Sequence, residues 1–366
     1  MFFERQPIKK EKIEELAKLL IEHSCRIKKG EIVIINSGIL AKPLVFELYK
    51  QILKKGAYPR LNLSFEGINK IYYDNASEEQ LKNYPKITEF EYKNADSIIN
   101  IIAETNREEL KNIDPKKIIL RQKVLKPISD IKLKKKWVLF RWPTETFAKD
   151  AGMSFSDYCN FVISSCLLDW NELSKKMQKI KKQIEKTDMV RIISKNTDLS
   201  FSVKETKPEV CDGKFNMPDG EVFTTPLKDS VEGKILFDYP LRVMGRKISH
   251  IFLEFKKGKV VKFNSSDNFA LEHLLKTDAG SSYLGEFGIG MNPKITKFTD
   301  ELLFDEKITG TIHLALGNSY PETRPKDKRQ GNESAIHADI VKELRSKKSK
   351  IFFDNKQVFE AGKWII

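Results

Sequence analysis

The first half of the chain alternates helical and strand patterns of hydrophobic residues. Apolar residues recur at helical spacing between positions 13 and 21, and a short run rich in isoleucine and valine follows at 31–36. Further candidate strands lie at 60–65, 97–103 and 137–142, and candidate helices lie at 41–54, from 77 onward and at 154–168. Strands that are apolar on both sides are typical of a sheet whose two faces are both covered. This order predicts an α/β domain with a mainly parallel sheet.

The pattern changes near residue 187, after a lysine-rich helix predicted at 171–186. Beyond it, short strand candidates are separated by turn dipeptides such as Asp212-Gly213 and Asp219-Gly220. We therefore predict an α/β domain at residues 1–187, followed by a β-rich α+β domain at residues 188–366. A length of 366 residues agrees with two domains of ordinary size.

Two predicted strands of the second domain carry a histidine on the face opposite their apolar residues. In the segment 311–316 (TIHLAL) the isoleucine and leucines share one face, while His313 points to the other. In the segment 336–341 (IHADIV), His337 and Asp339 are two positions apart and project side by side. Both strands thus present polar ligands on the face opposite their apolar residues.

Two further strands add carboxylates to this set. In the segment 286–291 (EFGIGM), Glu286 shares its face with Gly288 and Gly290, and the lack of side chains there leaves room beside it. Glu221 follows the Asp219-Gly220 turn at the start of another strand. These strands supply the carboxylates that a metal centre would require.

Two histidines, two glutamates and one aspartate suit a pair of divalent ions, such as zinc, cobalt, manganese or magnesium, better than one structural zinc. Each residue taken singly also has an ordinary structural interpretation. His313 fits a satisfied core histidine, Glu221 a solvated charge, and His337 with Asp339 a structural hydrogen bond. The residue pattern by itself leaves both interpretations open.

Tyr320 lies seven positions after His313, beyond a turn at Gly317, Asn318 and Ser319. Its phenol could donate a hydrogen bond to a developing oxyanion or contact a metal. The alternative is an aromatic side chain packed at the end of a strand.

The charge of the chain suggests a different partner. The formal net charge is +14, and the excess lies mainly in the first half as lysines scattered among glutamates. A nucleic-acid surface more typically has clustered arginines with interleaved aromatic residues. We therefore expect a solvated lysine-rich surface rather than a nucleic-acid-binding surface.

The location of the protein is expected to be cytoplasmic. The four cysteines are few for the length and show no CxxC spacing, as expected where thiols stay reduced. No apolar run reaches the length of a membrane span, and charged residues occupy the start where a signal peptide would be apolar.

Several segments together resemble the thermophilic metallo-aminopeptidase family typified by aminopeptidases T and S. They are, in chain order, PDGEVFTTP, LGEFGIGMNP, DEKITGTIHLALGNSYPE and NESAIHADIV, preceded in the first half by LIEHSCRIKKGEIVIINS and FRWPTETFAKDAGMSFSDYCNFV. The resemblance covers nearly the whole chain. It implies hydrolysis of peptides at a free N-terminus, with the second domain as the metal-binding catalytic domain.

The resemblance also implies roles for individual residues. The metal ligands fall on Glu221, Glu286, His313, His337 and Asp339, and the tyrosine placed at the metals falls on Tyr320. The implied cofactors are two divalent ions per subunit, and the implied partners are short peptides and a second copy of the chain in a homodimer. Our hypothesis gives Glu286 the role of general base and Tyr320 the role of stabilising the tetrahedral intermediate.

One segment departs from the family pattern. Between the last two ligand-bearing strands the chain reads TRPKDKRQG at 323–331, which is strongly basic. The ligand positions on either side are intact, so the departure bears on substrate preference.

The competing hypotheses are another metal-dependent amide hydrolase, a basic nucleic-acid-binding protein and a catalytically inactive binding protein. A deaminase-type cysteine pair is absent from the sequence between Glu221 and Asp339.

Overall fold

The structure is a computed structural model that describes residues 7–243 and 246–365. The helices are, in chain order, α1 (Lys10–Leu19), α2 (Lys42–Lys54), α3 (Ile68–Asn75), α4 (Glu78–Lys82), α5 (Lys86–Asn94), α6 (Pro115–Leu133), α7 (Glu145–Asp150), α8 (Phe155–Cys166), α9 (Trp170–Ile184), α10 (Asn268–Leu275) and α11 (Leu302–Asp305). None of these described helices has the length and apolar character needed to cross a membrane.

The strands are short and most of them lie in the second half of the chain. They are β1 (Ile32–Gly38), β2 (Tyr58–Ser64), β3 (Ser97–Ile102), β4 (Lys136–Arg141), β5 (Met189–Ser194), β6 (Thr197–Ser202), β7 (Glu209–Cys211), β8 (Asn216–Met217), β9 (Glu221–Thr224), β10 (Glu232–Leu236), β11 (Leu241–Val243), β12 (Arg246–Ile248), β13 (Phe252–Lys256), β14 (Lys259–Asn264), β15 (Leu284–Gly290), β16 (Thr311–Gly317), β17 (His337–Glu343), β18 (Lys350–Phe353), β19 (Lys356–Glu360) and β20 (Lys363–Trp364).

The first compact unit comprises the described residues up to Leu167 together with Gly213–Pro218. Its five-stranded sheet has the order β2-β1-β3-β4-β8, and all of its strand pairs are parallel. Ile34 of β1 is buried with residues of α5 and α6, and Val33 and Ile35 on the other side of the strand are buried as well. The prediction of an α/β part with a mainly parallel sheet is confirmed.

The second compact unit comprises Leu168–Asp212 and the described residues from Asp219 onward. One antiparallel sheet has eight strands in the order β14-β13-β10-β6-β5-β18-β19-β20. A second has five strands in the order β17-β16-β15-β9-β7, and every residue of β15 and β16 is buried. The β-rich character predicted for the second part of the chain is confirmed.

The boundary between the compact units falls between Leu167 and Leu168 and not near residue 187. Helix α9 belongs to the second unit because it packs on β7 and β9 and buries Leu173 and Met177. The chain also returns to the first unit at Gly213–Pro218, where β8 extends the parallel sheet beside β4. The change from a helical to a strand pattern marks where the strands begin, which is later than the start of the unit.

Candidate metal centre

Four neighbouring strands of the five-stranded sheet carry the five predicted ligands. Glu221 begins β9, Glu286 lies on β15, His313 on β16, and His337 and Asp339 on β17. These four strands are adjacent in the order β17-β16-β15-β9, and each neighbouring pair is antiparallel. The sheet therefore brings together residues that are more than a hundred positions apart in the chain.

Glu286 lies at the middle of the group. Its Oε1 is 3.1 Å from His313 Nε2, and its Oε2 is 3.4 Å from His337 Nε2. Glu221 Oε2 lies 3.5 Å from the same nitrogen of His313, and Asp339 Oδ2 lies 3.3 Å from His337 Nε2. All five side chains converge on one place.

The donor atoms of the group fit divalent cations. The side chains of Glu221, Glu286, His313 and Asp339 are nearly fully buried. One buried carboxylate oxygen on each of Glu221, Glu286 and Asp339 makes no hydrogen bond to any described residue. Buried carboxylates without hydrogen-bond partners are costly unless they are paired or coordinate a metal. Carboxylate oxygens combined with imidazole nitrogens form a suitable ligand set for zinc, cobalt or manganese.

The charges of the group perturb one another strongly. Burial lowers the pKa of His313, but the hydrogen bond with Glu286 and the charges of nearby glutamates outweigh it and raise this pKa to about 9. For His337, burial is likewise outweighed by Asp339 and Glu286, and the pKa rises to about 11. Burial raises the pKa of Asp339, yet the hydrogen bond from His337 prevails and lowers it to about 2. In the absence of metal both imidazole rings are therefore protonated at neutral pH.

Tyr320 borders the group but is less buried than the other candidates, with 41% of its surface exposed. Its ring centroid is 5.0 Å from the ring of His337 and 5.5 Å from the ring of Phe223. Burial, together with the charges of Glu286 and Asp339, raises the pKa of its phenol, which stays protonated at neutral pH. Its phenol is therefore available as a hydrogen-bond donor next to the site.

A buried lysine next to the group was not predicted from the sequence. Lys307 is 1% exposed, its Nζ lies 3.1 Å from Glu221 Oε1, and it also pairs with Glu306. Burial raises the pKa of Glu306, and although Lys307 opposes the shift, the value reaches about 8. Both residues belong to the segment DEKITGTIHLALG, in which the sequence pattern indicates a role for the histidine alone.

Cys211 is a second unpredicted neighbour. It lies on β7 directly opposite Glu221 in the antiparallel pair β7–β9. One potential ligand atom on each of Cys211, Asp219 and Glu221 lies within 4.8 Å of the others. Burial raises the pKa of the Cys211 thiol well above its usual range, so the thiol is protonated. The spacing of cysteines in the sequence could not reveal this residue, because its partners here are carboxylates.

The chain is similar to known proteins in both sequence and structure. The chain is 26% identical to aminopeptidase 2 from Geobacillus stearothermophilus, over 90% of this chain and 91% of that protein. The solved structure of wild-type AmpT from Thermus thermophilus superimposes with a TM-score of 0.82 at 21% identity, covering 98% of this chain and 100% of the other.

A second solved structure shares the fold at greater distance. The 2,5-dihydroxypyridine dioxygenase from Pseudomonas putida KT2440 gives a TM-score of 0.62 at 14% identity, covering 98% of both chains. At such identities the two structural matches establish the fold alone.

Family membership rests on a different comparison. The sequence model of the thermophilic metalloprotease (M29) family matches residues 9–364, which is almost the entire chain. The match spans all four ligand-bearing strands and both compact units. The chain therefore belongs to the thermophilic metalloprotease (M29) family.

Proposed function

We propose that the chain is a metal-dependent aminopeptidase that removes N-terminal residues from short peptides with the help of two divalent cations. The observation that carries the proposal is the convergence of Glu221, Glu286, His313, His337 and Asp339 on one buried place. Membership of a metalloprotease family and similarity to a protein named aminopeptidase 2 support the same conclusion.

The two oxygens of Glu286 face different histidines, which favours two cations over one. His313 and Glu221 lie on the Oε1 side, and His337 and Asp339 lie on the Oε2 side. The first pair would hold one cation and the second pair the other, with one oxygen of Glu286 facing each pair. A carboxylate placed between two ligand pairs would also lie next to a water held between two cations.

Bound divalent cations would polarise the scissile carbonyl and lower the pKa of water toward neutrality. Glu286 is our candidate for the group that accepts the proton of the attacking water and passes it to the leaving amine. Its side chain is nearly fully buried, so bulk water does not compete for this proton. Replacement of Glu286 by Gln should lower kcat by at least about 100-fold with the fold retained. Near-normal turnover would remove Glu286 from this role.

The phenol of Tyr320 is our candidate for the hydrogen-bond donor to the tetrahedral intermediate. The ring stands beside His337, and its partial exposure places it where a substrate can reach it. The free α-amino group of the peptide would be held by one of the carboxylates, which explains why the enzyme would act from the N-terminus.

Other properties are proposed from the resemblance of the chain to its family. They are a homodimeric assembly, a cytoplasmic location, and zinc, cobalt, manganese or magnesium as the cation. Light scattering of the purified chain tests the first, and a monomer at all concentrations would refute it. The basic segment at 323–331 is proposed to affect which peptides are preferred.

The main alternative is a metal-dependent reaction on another substrate. The same fold occurs in a protein named as a dioxygenase, so the fold by itself does not decide the reaction. An assay on a peptide substrate distinguishes the two reactions, because a peptide hydrolase releases an amino acid without consuming dioxygen.

The experiment that tests the proposed function is hydrolysis of aminoacyl arylamides and short peptides after chelation and readdition of zinc, cobalt, manganese or magnesium. We expect chelation to abolish activity and at least one metal to restore it. We also expect a peptide with an acetylated N-terminus to be resistant. Failure of every metal to restore hydrolysis, or equal cleavage of the acetylated peptide, would contradict the proposal.

A further inference from the structure

The basic segment at 323–331 contains two arginines, whose environments differ. Arg324 is only 7% exposed, whereas Arg329 in the same segment is 91% exposed and pairs with its neighbour Asp327. Burial of a guanidinium is costly unless its donors are satisfied. The burial of Arg324 therefore indicates a structural role, which the solvated Arg329 does not have.

The donors of Arg324 are taken up mainly by neutral oxygens. Nε donates to Ser319 Oγ at 2.8 Å, and Nη2 donates to the carbonyl oxygens of Ser319 at 2.9 Å and Asn332 at 3.1 Å. Nη2 also lies 3.3 Å from Asn318 Oδ1. The remaining partner, Glu333, is 82% exposed, so its charge is well screened by water. The guanidinium thus joins two backbone segments and is not primarily one half of an ion pair.

Those two segments are the two ends of the connection between β16 and β17, the strand that carries His337. The first, Asn318 and Ser319, follows β16, and the second, Asn332 and Glu333, leads toward β17. They also bond directly, because the backbone amide of Ser319 donates to the carbonyl of Asn332 at 2.9 Å. Arg324 donates hydrogen bonds to the carbonyl oxygens of both Ser319 and Asn332, and so it links the two segments.

The carbonyl of Asn318 has a specific task in the site. His337 Nδ1 donates to it at a distance of 2.7 Å. A carbonyl oxygen can only accept, so Nδ1 carries the proton and Nε2 is the nitrogen directed at Glu286 and Asp339. Partners of this kind orient a histidine ligand and set which nitrogen faces the metal.

We infer that Arg324 is a positioning residue, which holds the Asn318 carbonyl so that His337 presents Nε2 to the centre formed with Glu286 and Asp339. This inference rests on the proposed metal site. The hydrogen bonds and ion pair of Arg324 go to none of the five ligands, and it acts through the backbone at residues 318–319 and 332. The segment that departs from the family pattern thereby gains a role in shaping the centre.

The test compares three variants of the full chain, Arg324→Met, Arg324→Lys and the matched control Arg329→Met. Zinc dissociation constants are measured by competition with a chelator, and folding is checked by thermal unfolding. The chain contains five histidines, so ¹⁵N spectra of zinc-loaded, histidine-labelled protein can resolve His337. We expect Arg324→Met to weaken zinc binding by about 10- to 100-fold and to alter the Nδ1–H signal of His337.

The control and the conservative variant sharpen this result. Arg329→Met should match the wild type in both measurements. Arg324→Lys retains the charge but not the planar fork, so its zinc affinity should fall between those of the wild type and Arg324→Met. If Arg324→Met fails to fold, Arg324→Lys decides, and wild-type affinity in a folded Arg324→Lys would overturn the inference.

The wild-type protein provides a result that does not depend on any variant. Zinc-loaded protein in which His337 Nδ1 carries no proton would overturn the inference at once. Failure of the inference is distinguishable from failure of the proposed function. If the wild type binds zinc and cleaves peptides while Arg324→Met does both equally well, only the role of Arg324 is refuted. If the wild type binds none of zinc, cobalt, manganese and magnesium, both are refuted.

Discussion

Gly288 lies directly opposite His313 in the antiparallel pair of β15 and β16. A methyl group on Gly288 would come within 1.9 Å of His313 Nε2, the nitrogen that faces Glu286 and Glu221. The glycine therefore provides the space in which the imidazole lies. The prediction from the sequence that this glycine leaves room beside Glu286 is confirmed, and the structure identifies His313 as the group that fills the room.

Replacement of Gly288 by Ala should displace the His313 ring. Because a ligand moved by about 1 Å can lower a rate by about 100-fold, we expect a loss of that order in kcat/KM together with weaker zinc binding. Gly290→Ala provides the contrast, because its methyl group would meet the carbonyl oxygen of Ile308 at 2.2 Å and not the imidazole. That variant should lose thermal stability instead. Unchanged zinc affinity in a folded Gly288→Ala protein would contradict the assigned position of His313.

Replacement of Tyr320 by Phe tests the role proposed for the phenol. The ring contacts with Phe223 and His337 remain in the variant, so we expect the fold and the zinc affinity to be retained. Loss of a hydrogen-bond donor to the intermediate should lower kcat by about 100-fold with little change in KM. Steady-state kinetics on a peptide substrate provide the measurement, and an unchanged kcat would leave the tyrosine a packing residue.

Replacement of Lys307 by Met removes a buried cation that faces Glu221 and Glu306. The buried Glu221 and the mostly buried Glu306 would lose the cation that they share, and we expect the free energy of unfolding of the metal-free protein to fall by about 3–5 kcal/mol. Lys342→Met is the matched control. Lys342 is equally buried, but its partner Asp238 is 41% exposed and can be hydrated when the lysine is removed.

Denaturant unfolding of chelated Lys307→Met and Lys342→Met proteins compares the two lysines directly. The first should be destabilised by clearly more than the second. Equal losses would mean that Lys307 is no more important than an ordinary buried lysine.

Removal of the metal should change how stability depends on pH. In the metal-free protein the pKa values of His313 and His337 are about 9 and about 11, both above the ordinary 6.5. A raised folded-state pKa means that protonation stabilises the fold, so this contribution is complete below pH 6.5 and is lost as the pH rises through 9 to 11. Cation binding requires unprotonated nitrogens, so zinc affinity should rise with pH while the two rings are still protonated in the metal-free protein.

Thermal unfolding of the chelated protein and zinc titrations at several pH values measure these opposite trends. We expect the Tm of the chelated protein to fall between about pH 7 and pH 10, while the zinc dissociation constant decreases from about pH 6 to pH 8. A chelated protein whose Tm does not change with pH in this range would contradict the electrostatics described for the two rings.

The strands of both units could be predicted because their patterns are regular. Strands β1, β3 and β4 are short apolar runs, and β16 and β17 alternate apolar residues with potential ligands. Helix α6 was not predicted, because it contains Pro127 and buries only Ile128, so it has no continuous apolar face. A helix of this kind is recognised only when its neighbours are known.

The limits of prediction in the site have a similar origin. Glu221, Glu286, His313, His337 and Asp339 stand out because a polar side chain on a strand of apolar residues violates the usual alternation. Glu306 and Lys307 directly follow the short helix α11, where charged residues are ordinarily solvated, so nothing in the pattern marks Lys307 as buried or Glu306 as its partner. Cys211 reaches the group only through the pairing of β7 with β9.

The central claim is that five side chains on four adjacent strands hold two cations with Glu286 between them. Anomalous diffraction at the zinc absorption edge, from crystals of zinc-loaded protein, tests it most directly. The account predicts two peaks per chain, one beside His313 and Glu221 and one beside His337 and Asp339. A single peak, or peaks away from these residues, would contradict it.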